Sequence, residues 1–135
     1  MTTVTQFYNA LNGLVVTGVK RRFTAPPRQL ATADLPAQWV NLPGAANNLN
    51  SGLASTCYSL AKTRTATLVI ATEAAGQNNN PTNTAGVLTM MDALETALDN
   101  YRKTAGMVDY SITPAAIVLS ETNYWGVTCT VTLEG

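Results

Sequence analysis

The chain has 135 residues, of which 46% are hydrophobic and only 12% are charged. That length predicts a single domain over residues 1–135 that folds without a metal or a disulfide. The chain contains no histidine, which removes the commonest general base and the histidine-dependent nucleophiles. The formal net charge of zero argues against generic nucleic-acid binding. A surface with so few charges is typical of a protein whose surface is largely covered by partners.

Membrane and secretory classes are excluded by the distribution of apolar residues. No apolar run is long enough for a transmembrane helix. The amphipathic N-terminus lacks the basic and continuously apolar regions of a secretory signal. We therefore expect no membrane partner.

Charge is unevenly distributed along the chain. Residues 1–64 carry six cationic side chains and one anionic side chain, a net charge of +5, whereas residues 65–135 carry two and seven, a net charge of −5. One fold with a basic half and an acidic half suits head-to-tail contacts between copies, and such contacts build rings when the rotation closes. The alternative is that the two halves interleave in the fold and the separation disappears.

The first apolar pattern predicts a helix over residues 3–16. Apolar residues recur there at helical spacing, Thr2 or Thr3 is the expected N-cap, and Gly18 follows the end. The residues of the apolar face are Val4, Phe7, Tyr8, Leu11, Leu14 and Val15.

Residues 17–53 have no clean periodicity and are rich in proline and asparagine. We expect a long irregular strap there, and loops of this length are usually functional. A short strand is predicted within residues 19–24, and Leu35, Trp39 and Leu42 are expected to attach the strap to the body of the protein.

Residues 54–73 alternate in the manner of strands and are rich in threonine and valine. They predict either a hairpin that turns near 61–64 or one long bent strand, because no strong turn signal separates the two halves. Residues 74–83 are expected to form a polar loop.

A second helix is predicted over residues 84–103, with Asn83 or Thr84 as its cap and Gly106 as its stop. Strands are predicted over 108–120 and 124–133. The expected buried face of the helix consists of Val87, Met91, Leu94, Leu98 and Tyr101, and that of the last strand of Trp125, Val127, Cys129, Val131 and Leu133.

The order of elements predicts an α+β fold. Strands interrupted by helices indicate a mainly antiparallel sheet with two helices packed on one face, and the long irregular strap follows the first helix.

The two cysteines are expected to be structural. Cys57 and Cys129 lie on predicted strands, and a free cysteine usually acts as a small buried apolar residue. Without histidine to lower its pKa, neither thiol is expected to act as a nucleophile. A disulfide between them stays possible if their strands are neighbours.

Two charged groups are candidates for contacts with partners. Lys20, Arg21 and Arg22, reinforced by Arg28, form the basic cluster, which suits solvent, an acidic protein partner or, less well, phosphate. The second group is the acidic row, Asp92, Glu95 and Asp99, which lies on one face of the second helix. Such a row is usually exposed to solvent. Its alternative roles are a salt-bridged contact between subunits, acid–base catalysis or binding of a divalent cation.

Trp39 and Trp125 are expected in the core or as anchors of an interface. The inferred interface residues are Lys20, Arg21, Arg22, Arg28, Trp39, Asp92, Glu95 and Asp99. No catalytic, cofactor-binding or metal-ligating residue is predicted.

Element order and length over nearly the whole chain, together with three short signatures, resemble one known family. The signatures are Leu35-Pro36-Ala37, Leu42-Pro43-Gly44 and the closing strand that begins Tyr124-Trp125-Gly126-Val127. With an N-terminal amphipathic helix and one central helix, the chain resembles the tail terminator or tail completion proteins of long-tailed bacteriophages.

The resemblance implies a virion protein of the tail or neck that is assembled in the host cytoplasm. It implies a homo-oligomer, a hexameric ring, which caps the tail tube, ends its polymerisation and joins the tail to the head-connector or neck protein. DNA would pass through the lumen without sequence-specific binding, and neither catalysis nor a cofactor is implied. From the residues themselves, we expect 17–53 and 74–83 to face partners.

Three other roles stay open. Another neck or tail-tube protein could share this fold, because a fold does not determine a role. A small ligand-binding or enzymatic α+β domain and a nucleic-acid adaptor that uses Lys20, Arg21 and Arg22 are the remaining candidates.

Overall fold

The computed structural model describes residues 3–50, 59–74, 80–105, 108–119 and 122–134. These described residues form two helices on one face of a six-stranded, mostly antiparallel sheet, which confirms the predicted α+β fold. The helices are α1 (Val4–Asn12) and α2 (Asn80–Ala105), and the strands are β1 (Arg21–Arg22), β2 (Ala37–Val40), β3 (Gly44–Asn50), β4 (Ser59–Ala74), β5 (Val108–Leu119) and β6 (Thr122–Glu134).

The strands lie in the order β1-β2-β4-β6-β5, and β1 pairs with β2 in parallel. Strand β4 is continuous: its first half pairs with β3, its second half with β2, and residues 63–74 pair with β6 on the other side. The long-strand prediction is therefore confirmed over residues 59–73, and the hairpin near 61–64 is wrong, whereas residues 54–58 lie outside the described residues. Strand β3 pairs with β4 throughout residues 59–65, so the backbone at the predicted turn is hydrogen-bonded as a continuous strand.

Helix α1 begins at the predicted cap and ends earlier than predicted. The Thr3 hydroxyl accepts a hydrogen bond from the Gln6 amide (3.0 Å), and the Gln6 side chain accepts one from the Thr3 amide (2.9 Å). This capping box satisfies two amides of the first turn. The helix ends at Asn12, where Gly13 is the C-cap, so Gly18 lies in a later turn with φ +95.

The predicted strap contains three short strands, β1, β2 and β3, so an irregular segment throughout 17–50 is wrong. Residues 51–53 lie outside the described part of the chain. Leu35 and Trp39 are buried as predicted, but Leu42 is 82% exposed and attaches nothing.

The sheet is buried on both faces by different parts of the chain. On the helical face, α1 and α2 cover the main core, whose largest fully buried side chains include Phe7, Leu11, Leu68, Ile70, Leu94 and Leu98. On the other face, residues 23–36 cross one end of the sheet over a smaller core that contains Leu35, Trp39, Val69, Ile117 and Tyr124. The Tyr124 hydroxyl donates to the Leu30 carbonyl (3.3 Å) and fixes this crossing.

Helix α2 is longer than predicted, because it begins at Asn80. Neither Asn83 nor Thr84 caps it, and residues 80–83 are helical rather than part of a polar loop. Residues 75–79 of that predicted loop lie outside the described residues. The helix ends at Ala105, directly before the predicted stop, Gly106.

The closing strands β5 and β6 agree with the prediction, with one exception on the buried face of β6. Val127, Cys129 and Val131 are fully buried, but Trp125 is 36% exposed. Burial raises the pKa of the Cys129 thiol to about 12, so it is an inert free thiol in the core. Cys57 lies outside the described residues.

The first prediction concerns two leucines of α2. Replacing the fully buried Leu94 by alanine is expected to lower the free energy of unfolding by about 2–5 kcal/mol, because a cavity is left in the core. Leu88→Ala is the matched control, since Leu88 is 56% exposed and its loss is expected to cost no more than about 0.5 kcal/mol. Urea denaturation followed by circular dichroism measures both, and equal costs would contradict the packing of α2.

The second prediction concerns two glycines. A Cβ on Gly126 would collide with the carbonyl oxygen of Ile70 and the side chain of Ile117, and would lie 3.1 Å from the Cα of Ala71. Gly126→Ala is therefore expected to destabilise the protein by about 1–3 kcal/mol. Gly86→Ala is expected to stabilise it by roughly 0.5–1 kcal/mol, because nothing lies within 4 Å and alanine favours the helix. Thermal unfolding should show shifts of opposite sign.

Candidate functional site

Two arginines of the basic cluster, Arg21 and Arg22, lie on β1, at one edge of the sheet. Arg21 forms an ion pair with Asp34 (3.1 Å) and lies 4.6 Å over the Phe23 ring. Arg22 donates a hydrogen bond to the Gly13 carbonyl (2.9 Å). Both side chains are exposed, so each is held by its own chain while it still presents charge to solvent.

The other two cations of the predicted cluster are separate in their contacts. Lys20 is exposed directly before β1, and its side chain has no ion pair or hydrogen bond within the part of the chain that the structure describes. Arg28 is exposed on the 23–36 segment, which crosses the sheet face away from the helices, and it has interactions of its own. The structure therefore places Lys20, Arg21 and Arg22 together at the β1 edge and Arg28 on the covering segment.

The acidic row is exposed on α2, as predicted. Asp92, Glu95 and Asp99 all face solvent on that helix. Asp99 accepts a hydrogen bond from the Tyr110 hydroxyl (2.7 Å), which ties α2 to β5. This hydrogen bond, with burial and the charges of Asp99 and Glu95, raises the pKa of Tyr110 to about 12, whereas Arg102 acts in the opposite direction. Within the described ranges, no three acidic or cysteine side chains group in a way that would hold a metal ion.

Trp39 was expected among the interface residues, and the structure contradicts that assignment. Its side chain is only 3% exposed, because the 23–36 segment covers it in the smaller core. The core reading of Trp39 is therefore confirmed. The exposed tryptophan is Trp125, at the opposite side of the sheet.

Opposite charges lie toward opposite edges of the sheet. The basic β1 is the terminal strand on one side, and α2, with its acidic row, packs over β5 and β6 on the other side. The separation is incomplete, since α2 also carries Arg102 and Lys103 in its last turn, and β4 carries both Arg64 and Glu73 near the middle of the sheet. The clusters at the two edges nevertheless do not interleave.

An apolar groove of about 520 Å³ lies between α2 and the neighbouring parts of β5 and β6. Leu88 is 56% exposed along this groove, and Trp125 is its aromatic wall. Of the described residues that line it, Thr84 has the one polar side chain. The lining residues are Thr84, Val87, Leu88, Met91, Pro114, Ala115, Ala116, Trp125 and Gly126.

The groove was not predicted from the sequence. Leu88 lies beside the predicted apolar stripe of α2, and the alternation of β6 assigns Trp125 to the buried face. The alternation correctly places Trp125 on the same face of β6 as Val127, which is the helical face of the sheet. It does not show that α2 leaves this end of the face uncovered.

No model of a known protein family matches the chain, and no curated protein sequence matches it either. The resemblance to tail terminators therefore stays a prediction from the sequence. Among the described residues, no helix is both long enough and apolar enough to cross a membrane.

The third prediction concerns the contact between Asp99 and Tyr110. Asp99→Asn is expected to lower the Tyr110 pKa from about 12 toward the ordinary tyrosine value, because the carboxylate no longer opposes ionisation of the phenol. Since the folded pKa is the higher one, this contact stabilises the fold at neutral pH and is lost as the pH rises toward 12.

Tyrosine ring carbon shifts, followed by NMR against pH, measure this titration. Asp92→Asn is the matched control, because Asp92 is an exposed carboxylate on the same helix that does not bond to Tyr110. An unchanged Tyr110 titration in Asp99→Asn would contradict the contact.

Proposed function

We propose that this chain is a structural virion protein of a long-tailed bacteriophage. Copies form a hexameric ring that caps the tail tube, ends its polymerisation and joins the tail to the head connector. The ring belongs to the tail or neck of the virion and is assembled in the host cytoplasm. Its partners are the tail tube protein and the head-connector or neck protein, and DNA passes through its lumen without sequence-specific binding.

The observation that carries this proposal is the opposite charge at the two edges of one sheet. Lys20 and Arg22 lie at the β1 edge, whereas Glu95 and Asp99 lie on the helix that covers the β5 edge. Such a molecule complements itself head to tail, because the cations of one copy can face the anions of the next. Head-to-tail contacts between copies build a ring when the rotation closes.

The described chemistry supports a structural role over an enzymatic one. The carboxylates of α2 are exposed to solvent on a helix, and Cys129 is buried with a raised pKa. An activated nucleophile needs the opposite environment, an accessible thiol with a lowered pKa. The order of elements, which resembles that of tail terminators, supports the same proposal.

A small ligand-binding domain is the second candidate, because a groove of about 520 Å³ falls within the range of small-molecule sites. Such sites also contain a few converging polar groups that orient the ligand. The groove provides mainly aliphatic side chains and one tryptophan, so it fits an apolar protein segment better.

The fourth prediction tests the role in the virion. Removing this protein from the phage that encodes it is expected to give tails that exceed their normal length, because nothing ends polymerisation of the tube. Electron microscopy of the particles measures tail length, and supplying the protein from a plasmid should restore normal tails.

Two other outcomes decide between the alternatives. Tails of normal length without heads would contradict the terminator role and assign the protein to head–tail joining. Complete, infectious particles would overturn the structural role itself.

A further inference from the structure

We propose that the apolar groove beside α2 receives the Val15 side chain of a second copy of this chain. In that contact, Lys20 and Arg22 of the incoming copy face Glu95 and Asp99 of the receiving copy. The inference rests on the self-association part of the proposed function and does not need the role in the virion.

One side of α2 forms the wall of the groove and then continues as an acidic surface. Residues 84, 88, 91, 95 and 99 are spaced by four, three, four and four, which places them on one side of the helix. The first three line the groove, whereas Glu95 and Asp99 continue the same stripe with two exposed carboxylates. An occupant should therefore present an apolar side chain with cations beside it.

The floor of the groove is an apolar surface on the helical face of the terminal strand pair. Ala116 is the register partner of Trp125, and Val118, two residues further along β5, is 62% exposed. A continuous exposed apolar surface of this kind typically marks an interaction site. Pro114 has no amide proton, so backbone pairing along the β5 edge is interrupted there, and docking through side chains is favoured.

Glu73 adds negative charge beside the Trp125 end of the groove. It is the register partner of Trp125 on β4. One of its carboxylate oxygens is buried and has no hydrogen-bond partner within the described part of the chain. The Glu73 carboxylate therefore extends the negative charge around the groove beyond that of Glu95 and Asp99.

The Val15 side chain is held outward by the residues on either side of it. Val15 is 73% exposed, whereas Leu14 and Val16 are 9% and 3% exposed and pack in the main core. The buried Gln38 amide donates to the Leu14 carbonyl (2.9 Å) and fixes the backbone there. A side chain that is already ordered loses little entropy on binding, which favours docking.

Cations flank Val15 on the same side of the molecule. Arg22 donates to the Gly13 carbonyl (2.9 Å), two residues before Val15. Lys20 directly precedes Arg21 at the start of β1, and its exposed side chain lacks a partner among the described residues. The apolar side chain with adjacent cations that the groove requires is thus present in this chain.

The two surfaces lie toward opposite edges of the sheet, which selects a second copy in a head-to-tail arrangement. Val15 follows α1 above β1 and β2, whereas the groove lies above β5 and β6. A single copy cannot bring them together. A symmetric contact between like edges would place cations against cations, whereas the head-to-tail contact places cations against carboxylates.

Sedimentation velocity of the full chain over a range of concentrations tests the contact. Wild type is expected to associate, whereas Leu88→Gln and Val15→Gln should each weaken association about tenfold or more, because each removes a buried apolar side chain from the contact. Thr89→Gln and Thr5→Gln are the matched controls, since both residues are exposed and lie outside the proposed contact. Circular dichroism confirms that each variant is folded.

Mixing the two impaired variants gives a sharper result. The Leu88→Gln copy retains Val15, and the Val15→Gln copy retains an intact groove. One good contact then remains per pair, so a 1:1 dimer that does not grow into larger species is expected. A mixture that stays monomeric, or either variant associating as strongly as wild type, would overturn the proposal.

Charge reversal and fluorescence are the second and third readouts. Lys20→Glu and Glu95→Lys should each weaken association, and the chain that carries both changes should recover it. Acrylamide should quench Trp125 less as wild type associates, and Trp125→Phe should remove that change.

Saturable binding of a small apolar dye in the groove, with association unaffected by Leu88→Gln, would assign the groove to a ligand and overturn the proposal.

These results are distinguishable from a failure of the proposed function. If the wild type forms rings that the groove variants do not disturb, the contact is wrong and the virion role stands. If the variants behave as expected but particles that lack the protein are complete and infectious, the contact stands and the virion role is wrong. A wild type that stays monomeric at every concentration would overturn the contact.

Discussion

The antiparallel pairing of β4 with β6 organises the sheet and both of its cores. The pairing joins residues 63–74 of β4 to residues 124–134 of β6, and Gly126 allows their backbones to approach where the register shifts after Ala71. Both helices pack on one face of this pair, and the 23–36 segment packs on the other. All other strands attach to one or the other outer side of the pair, so it determines which strands become the edges.

The surface properties that suggest a function follow from those edges. Both faces of the central strands are covered, so the charged and the exposed apolar side chains lie mainly at the two margins of the sheet. One margin carries Lys20 and Arg22 beside Val15, and the other carries a groove beside carboxylates. A protein with two unlike margins is suited to binding copies of itself in a row, which is the physical basis of the proposed ring.

The segment that follows α1 has two structural roles at once. Its short strands β1 and β2 extend the sheet, and residues 23–36 between them cover the face that the helices leave open. The Tyr124 hydroxyl and the Arg21–Asp34 ion pair hold this cover in place. Its anchors Leu35 and Trp39 are buried within the chain, whereas the β1 edge, Arg28 and Leu42 face solvent.

Features that depend on neighbours along the chain could be predicted from the residues alone. These are an N-cap at Thr2 or Thr3, the buried leucines of α2, the alternation of β6 and the α+β class, because spacing indicates which side chains share a face. How much of each face is covered became clear only from the folded chain. Tertiary structure buried Trp39, left Trp125 and Val15 exposed, and made β4 one long strand, because coverage depends on segments that are distant in sequence and local spacing does not specify where they pack.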